Sequence, residues 1–122
     1  MGKFLDPVDL EALQDGDHWK TLDEIVYITD SNERIEVPVG FITDLASVPR
    51  VFWSILPPFG RYDGAAIVHD YLYSIQIFTR SRSDAILLEA MKSEGVGWLT
   101  RWTIYLGVRV GGWVAWKGHQ HG

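Results

Sequence analysis

The 122 residues contain no cysteine. That excludes a disulfide framework and any thiolate metal centre. Positive charge is also scarce: 11 Lys and Arg stand against 16 Asp and Glu, a net charge of −5. A general nucleic-acid binder carries the opposite balance, so no nucleic-acid partner is expected. No positively charged leader precedes an apolar stretch, because Met1-Gly2-Lys3-Phe4-Leu5-Asp6-Pro7 turns acidic at once, and no signal peptide is expected. No internal repeat or low-complexity tract is visible. No apolar run is fit to span a bilayer, since the longest one, Trp98 to Trp116, has Arg101 and Arg109 inside it. Histidine is limited to four residues, His18, His69, His119 and His121. A zinc peptidase needs more convergent ligands than the lone central His69 provides. A metal phosphohydrolase of the H…HD…D kind needs an earlier ligand, and His18 lies in the β-rich part. Ser47 lacks a nucleophile-elbow context.

The informative stretch is Ala65-Ala66-Ile67-Val68-His69-Asp70-Tyr71-Leu72-Tyr73. It has helical apolar spacing with an ionisable pair in its middle. A buried charge costs several kcal/mol unless it is paired or metal-bound, so His69 and Asp70 require receivers. Asp84 opens the next apolar-periodic run, with Ile86, Leu87, Ala90 and Met91 as its stripe. Two helices packed as a hairpin would set His69 against Asp84, a His–carboxylate dyad beside the second carboxylate of Asp70. Such a dyad suits a base that activates water. Adjacent residues of a helix diverge by about 100°, so Asp70 is directed away from the paired helix toward the preceding loop.

The remaining elements follow from composition. Ile25-Val26-Tyr27-Ile28-Thr29 reads as a strand, Asp30-Ser31-Asn32-Glu33 as a turn, and Arg34 to Val39 as the second strand of a hairpin, at an edge because of Pro38. An edge strand is expected near Trp19. The chain then leaves the sheet at Gly40, with a short helix over Val51 to Leu56 stopped by Pro57-Pro58. The first long helix runs from about Ala65 to Ile75. Ser81 or Ser83 caps the second, with Asp84 in its first turn, and Gly95 ends it. A third spans Trp98 to Trp116. The expectation is one α+β domain: a small N-terminal β-hairpin sheet (1–40), a structured loop (41–64), a three-helix C-terminal part (65–116) and a loose tail (117–122).

One string is more specific: Val37-Pro38-Val39-Gly40-Phe41-Ile42-Thr43-Asp44-Leu45-Ala46-Ser47-Val48-Pro49-Arg50. Together with His69-Asp70-Tyr71-Leu72-Tyr73, Arg82-Ser83-Asp84, Glu89-Ala90-Met91 and Val108-Arg109, it resembles an uncharacterised family of phage and prophage proteins. That resemblance covers about Tyr27 to Trp116 and implies a phage or prophage origin, with the protein in the virion or the host cytoplasm. Ser83 stands where that family usually has Ala.

Residues 61–94 also resemble the helix pair of phospholipase A2. That resemblance implies His69 as general base, Asp84 as its orienting partner, Tyr73 as a supporting hydroxyl, and Asp70 as a calcium ligand. The phospholipase calcium loop is Gly-rich and no clean counterpart is present; Asp44 is the substitute ligand. Arg50 and Arg61 would meet an anionic substrate. The resulting expectation is a phage accessory protein with a His–Asp hydrolase site acting on a lipid ester. The alternative is a non-catalytic tail or baseplate adaptor in which His69 and Asp84 are a satisfied buried pair. Its partners would be other phage structural proteins, met through the Trp-rich C-terminal helix, or a lipid surface. For Asp44 the competing reading is an Asx turn or helix cap.

Overall fold

The structure, a computed structural model, describes residues 2–5, 10–12, 19–43 and 63–120. Its strands are β1 (Lys3–Phe4), β2 (Leu10–Ala12), β3 (Trp19–Thr21), β4 (Ile25–Ile28), β5 (Arg34–Val37) and β6 (Ile42–Thr43). They are followed by α1 (Asp63–Ile75), α2 (Arg80–Ser93), α3 (Trp98–Gly111) and α4 (Trp113–Gln120). The architecture is α+β, with small antiparallel sheets before C-terminal helices.

The β4–β5 hairpin follows from its residues. Arg34-Ile35-Glu36-Val37 alternates exposed and buried, with Ile35 and Val37 in the core. Asn32 sits at φ 63°, a left-handed position that Asn tolerates, and closes the turn. The pairing sets Tyr27 opposite Ile35 and Ile25 opposite Val37. Strand β5 lies at the edge of the sheet ordered β1-β4-β5, as Pro38 requires.

The sequence reading provides one hairpin sheet and an edge strand near Trp19; that strand is β3, but it is the centre of a second sheet ordered β2-β3-β6, paired on both sides. The chain does not leave β structure at Gly40. It turns there at φ +82°, and Ile42–Thr43 pairs with β3. Thr21 ties the crossover: its hydroxyl donates to the Pro38 carbonyl at 2.8 Å and accepts from Phe41 N at 2.9 Å.

The helices meet the sheet through α1, which is buried from Gly64 to Asp70. Ala65, Ile67, Val68 and Leu72 join Ile25, Tyr27, Ile35 and Val37 in one core with Ile86, Leu87, Ala90 and Met91. Each such large aliphatic side chain contributes about 1.5–3 kcal/mol on burial. The second helix starts earlier than expected: Thr79, not Ser81 or Ser83, is the N-cap and accepts from Arg82 N at 3.1 Å. Gly95 does end it, at φ +84°. Val96 N reaches Met91 O and Gly95 N reaches Lys92 O, the paired bonds of a Schellman stop.

Two further expectations are corrected. The third helical run is not continuous; Gly112 separates α3 from α4, so the helical part has four helices among the described residues. The segment after Trp116 is not loose from Lys117 onward, because α4 continues to Gln120. Gln76 fixes this end, donating its amide to the Trp116 carbonyl at 2.9 Å. The helix expected over Val51 to Leu56 lies outside the described residues.

Candidate functional site

Consecutive residues of α1 face different neighbours, as 100° per residue demands. Asp70 turns to the sheet, where Thr43 on β6 donates its hydroxyl to Asp70 Oδ2. Tyr71 packs edge-on against Phe41, centroids 5.3 Å apart. His69 turns to α2, and its Nε2 lies 2.6 Å from Asp84 Oδ1. Tyr73, one turn beyond His69, donates its hydroxyl to the same oxygen at 2.5 Å. His69 and Tyr73 are 4.3 Å apart between centroids.

The other carboxylate oxygen is also engaged. Arg109 on α3 donates Nη1 to Asp84 Oδ2 at 2.8 Å. Three helices therefore meet on one carboxylate. His69, Tyr73 and Asp84 have no exposed surface. Burial alone raises the carboxyl of Asp84, but the hydrogen bonds from His69 and Tyr73, the charge of His69 and the bond from Arg109 outweigh it. Asp84 is held below its ordinary value and is ionised near neutrality. The hydrogen bond to Asp84 raises Arg109 in turn. Burial, then the bond and charge of Asp84, push the Tyr73 phenol above its ordinary range.

These states fix the histidine tautomer. An ionised carboxylate only accepts, so Nε2 of His69 carries the proton it shares with Asp84.

The surroundings hold the cluster in place. Arg80 Nη2 donates to the carbonyls of Val108 and Arg109 at 2.9 and 2.6 Å, clamping α2 to the end of α3. Trp116 stands edge-on to Tyr73, centroids 5.1 Å apart. Gly112 lets α4 approach: a Cβ there would lie 2.8 Å from the Tyr73 hydroxyl. At the other end of α1, Glu94 accepts from Ala65 N at 2.9 Å.

Of the residues singled out in the sequence, the structure brings His69, Tyr73 and Asp84 together and directs Asp70 toward β6. Asp44, Arg50 and Arg61 lie outside the described residues. Among the described residues, no group of three His, Asp or Glu side chains converges. The Arg109–Asp84 contact and the Arg80 clamp were not anticipated. A signal existed for the first: Arg101, Tyr105 and Arg109 recur every four residues on an otherwise apolar helix, a polar line that can meet a buried acid.

The fold and this cluster define a small α+β protein built around a buried His–Asp–Tyr–Arg hub. The chain belongs to the family described as proteins of unknown function, DUF1353, whose model matches residues 19–108. It is 38% identical over 65 residues to the uncharacterized protein y4jT of Sinorhizobium fredii (strain NBRC 101917 / NGR234). That match takes in 51% of this chain and only 19% of y4jT, so the chain spans a small part of the relative's length. No solved structure matches the chain. None of its described helices is long and apolar enough to cross a membrane.

Proposed function

We propose that the protein is a phage- or prophage-encoded hydrolase in which His69 activates water to cleave an ester in lipid. The observation that carries this reading is the 2.6 Å contact of His69 Nε2 with a buried, ionised Asp84. A general base needs its tautomer and ring plane fixed, and Asp84 supplies both. In this reading the oxygen of a water attacks the ester carbonyl carbon while its proton passes to the imidazole of His69. The tetrahedral adduct then expels the alcohol oxygen, which takes that proton back from the imidazole. The products are a carboxylic acid and an alcohol, and His69 returns to its starting state. The positive charge that His69 holds between these steps is balanced by Asp84, and Tyr73 and Arg109 keep that carboxylate from rotating.

A calcium ion held by Asp70 and Asp44 would polarise the ester carbonyl, as in the phospholipase helix pair that residues 61–94 resemble. Arg50 and Arg61 are the cations we assign to an anionic headgroup. The sequence blocks shared with phage and prophage proteins support a phage origin, with the protein acting from the virion or in the host cytoplasm.

The test is fatty-acid release from phospholipid vesicles, with calcium and with chelator, by the intact chain and by His69→Ala. Release by the intact chain and its loss in a folded His69→Ala variant is the expected result. No release by the intact chain, or equal release by the variant, overturns the reading.

A further inference from the structure

We propose that the outer face of α3 and α4 docks on the surface of an anionic lipid bilayer. A surface helix ordinarily turns its apolar stripe inward. Here the stripe points out: Trp98, Leu99, Trp102, Leu106 and Val110 on α3 and Trp113 on α4 are all exposed, Val110 to 78% and Trp98 to 67%. From Leu99 the spacing is three or four residues, so these side chains form one line. The inward side of α3 buries only Ile104 and Val108 completely.

Charge identifies the occupant. All 16 acidic residues of the chain lie at or before Glu94. Beyond it come Arg101, Arg109 and Lys117, and no carboxylate side chain. Lys117 borders the stripe itself, its Nζ 5.0 Å from the Trp113 ring centroid. Arg109 is engaged by Asp84 and Arg101 by the Val96 carbonyl, so the cation at the stripe is Lys117, and two copies meeting through this face would bring together two such lysines with no carboxylate from α3 or α4 to balance them. An anionic headgroup layer offers the complementary charge, and exposed Trp side chains favour the depth where headgroups meet acyl chains. A Lys beside a Trp can extend its ammonium to the headgroups while its stem stays on apolar surface. The helices would lie in the interface rather than span it, since none is long and apolar enough to cross. This surface does not depend on the chemistry proposed for His69, and its test reads partition, not turnover.

The experiment is co-sedimentation with vesicles of phosphatidylcholine containing phosphatidylglycerol and with pure phosphatidylcholine, with Trp fluorescence recorded on both. The expected result is binding to the anionic vesicles with a blue shift, weakened by salt and much weaker on the neutral ones. Lys117→Ala lowers the partition coefficient about fivefold. Val110→Glu lowers it by more than about tenfold while helix content stays unchanged, since the position is exposed. Three results overturn the proposal. One is a folded chain that does not partition onto anionic vesicles. Another is a Val110→Glu variant that binds as the parent does. The third is a lipid-free dimer in sedimentation velocity that Val110→Glu dissociates, which would assign the face to a second copy.

Discussion

Replacing Asp84 with Asn keeps the shape of the side chain and removes its charge. The three donors around it determine the cost. Oδ1 receives His69 Nε2 at 2.6 Å and the Tyr73 hydroxyl at 2.5 Å, and Oδ2 receives Arg109 at 2.8 Å. An amide has one accepting oxygen and one donating nitrogen. If the oxygen stays toward His69 and Tyr73, the amide N–H group confronts the Arg109 guanidinium, donor against donor. If the amide flips, Tyr73 loses the acceptor for its proton. Each orientation strands a donor in a place with no exposed surface on the Asp84 side. Breaking a buried pair from one side costs about 3–5 kcal/mol. Arg109 is 33% exposed and can turn to water, which places the expected loss near the lower bound, about 3 kcal/mol. For a chain of this size that lowers the melting temperature by roughly 10 °C. The assay is urea unfolding at neutral pH followed by far-UV circular dichroism, with the midpoint shifting and the slope unchanged. A loss under about 1 kcal/mol would refute the claim that this carboxylate joins α1, α2 and α3, because even a single hydrogen bond to a charged group is worth more than that.

Tyr73→Phe deletes one donor to Asp84 and keeps the ring against Trp116; it should cost about 1.5–3 kcal/mol and reduce ester release through a less constrained His69, whereas full stability would show that the hydroxyl bond is not formed. Gly112→Ala places a Cβ 2.5 Å from Val108 O and 2.8 Å from the Tyr73 hydroxyl, so about 1–3 kcal/mol should be lost, read as a lower melting temperature; an unchanged value would mean that α4 does not approach Tyr73 this closely. The acid limb of stability follows from Asp84, whose folded value lies below its ordinary 3.8: its contribution is complete above that pH and is lost as pH falls through the folded value. The alkaline limb has the opposite sign, because Tyr27 and Tyr73 are raised above their ordinary 10.0, so their contribution is complete below pH 10 and is lost as pH rises beyond it. Urea midpoints measured across both limbs check the two signs, and a midpoint that rises on either excursion contradicts them.

The approach of His69 to Asp84 was legible because two ionisable residues in an apolar helical run must find receivers, and one acidic residue opened the next run. The hairpin of β4 and β5 was legible from alternation and from the turn at Asn32. Of the second sheet only the strand near Trp19 was legible, and β2 and β6 were not, because they are three and two residues long, too short for a period of two to register. The break at Gly112 was hidden for another reason. Apolar periodicity continues through it, and the need for glycine comes from the Tyr73 hydroxyl, far away in sequence. The sequence leaves the orientation of α3 open between core and partner surface. Periodicity sorts residues onto faces but does not say which face points inward. Apolar faces are assumed to do so, and a buried carboxylate on α2 reverses the assumption by drawing Arg109 inward and leaving the Trp and Leu side chains outside.

Stability alone is a weak account of the hub. A buried ion pair can often be exchanged for apolar side chains of similar volume at no loss, so retaining one is weak evidence of a stabilising role. What the polar cluster supplies is direction. Apolar contacts between α1 and α2 would tolerate a rotation of α1 by some degrees; a carboxylate bonded to two residues of α1 and one of α3 does not. The opposite side of α1 is constrained as well, by Thr43 on Asp70, Phe41 on Tyr71 and Glu94 on the amide of Ala65.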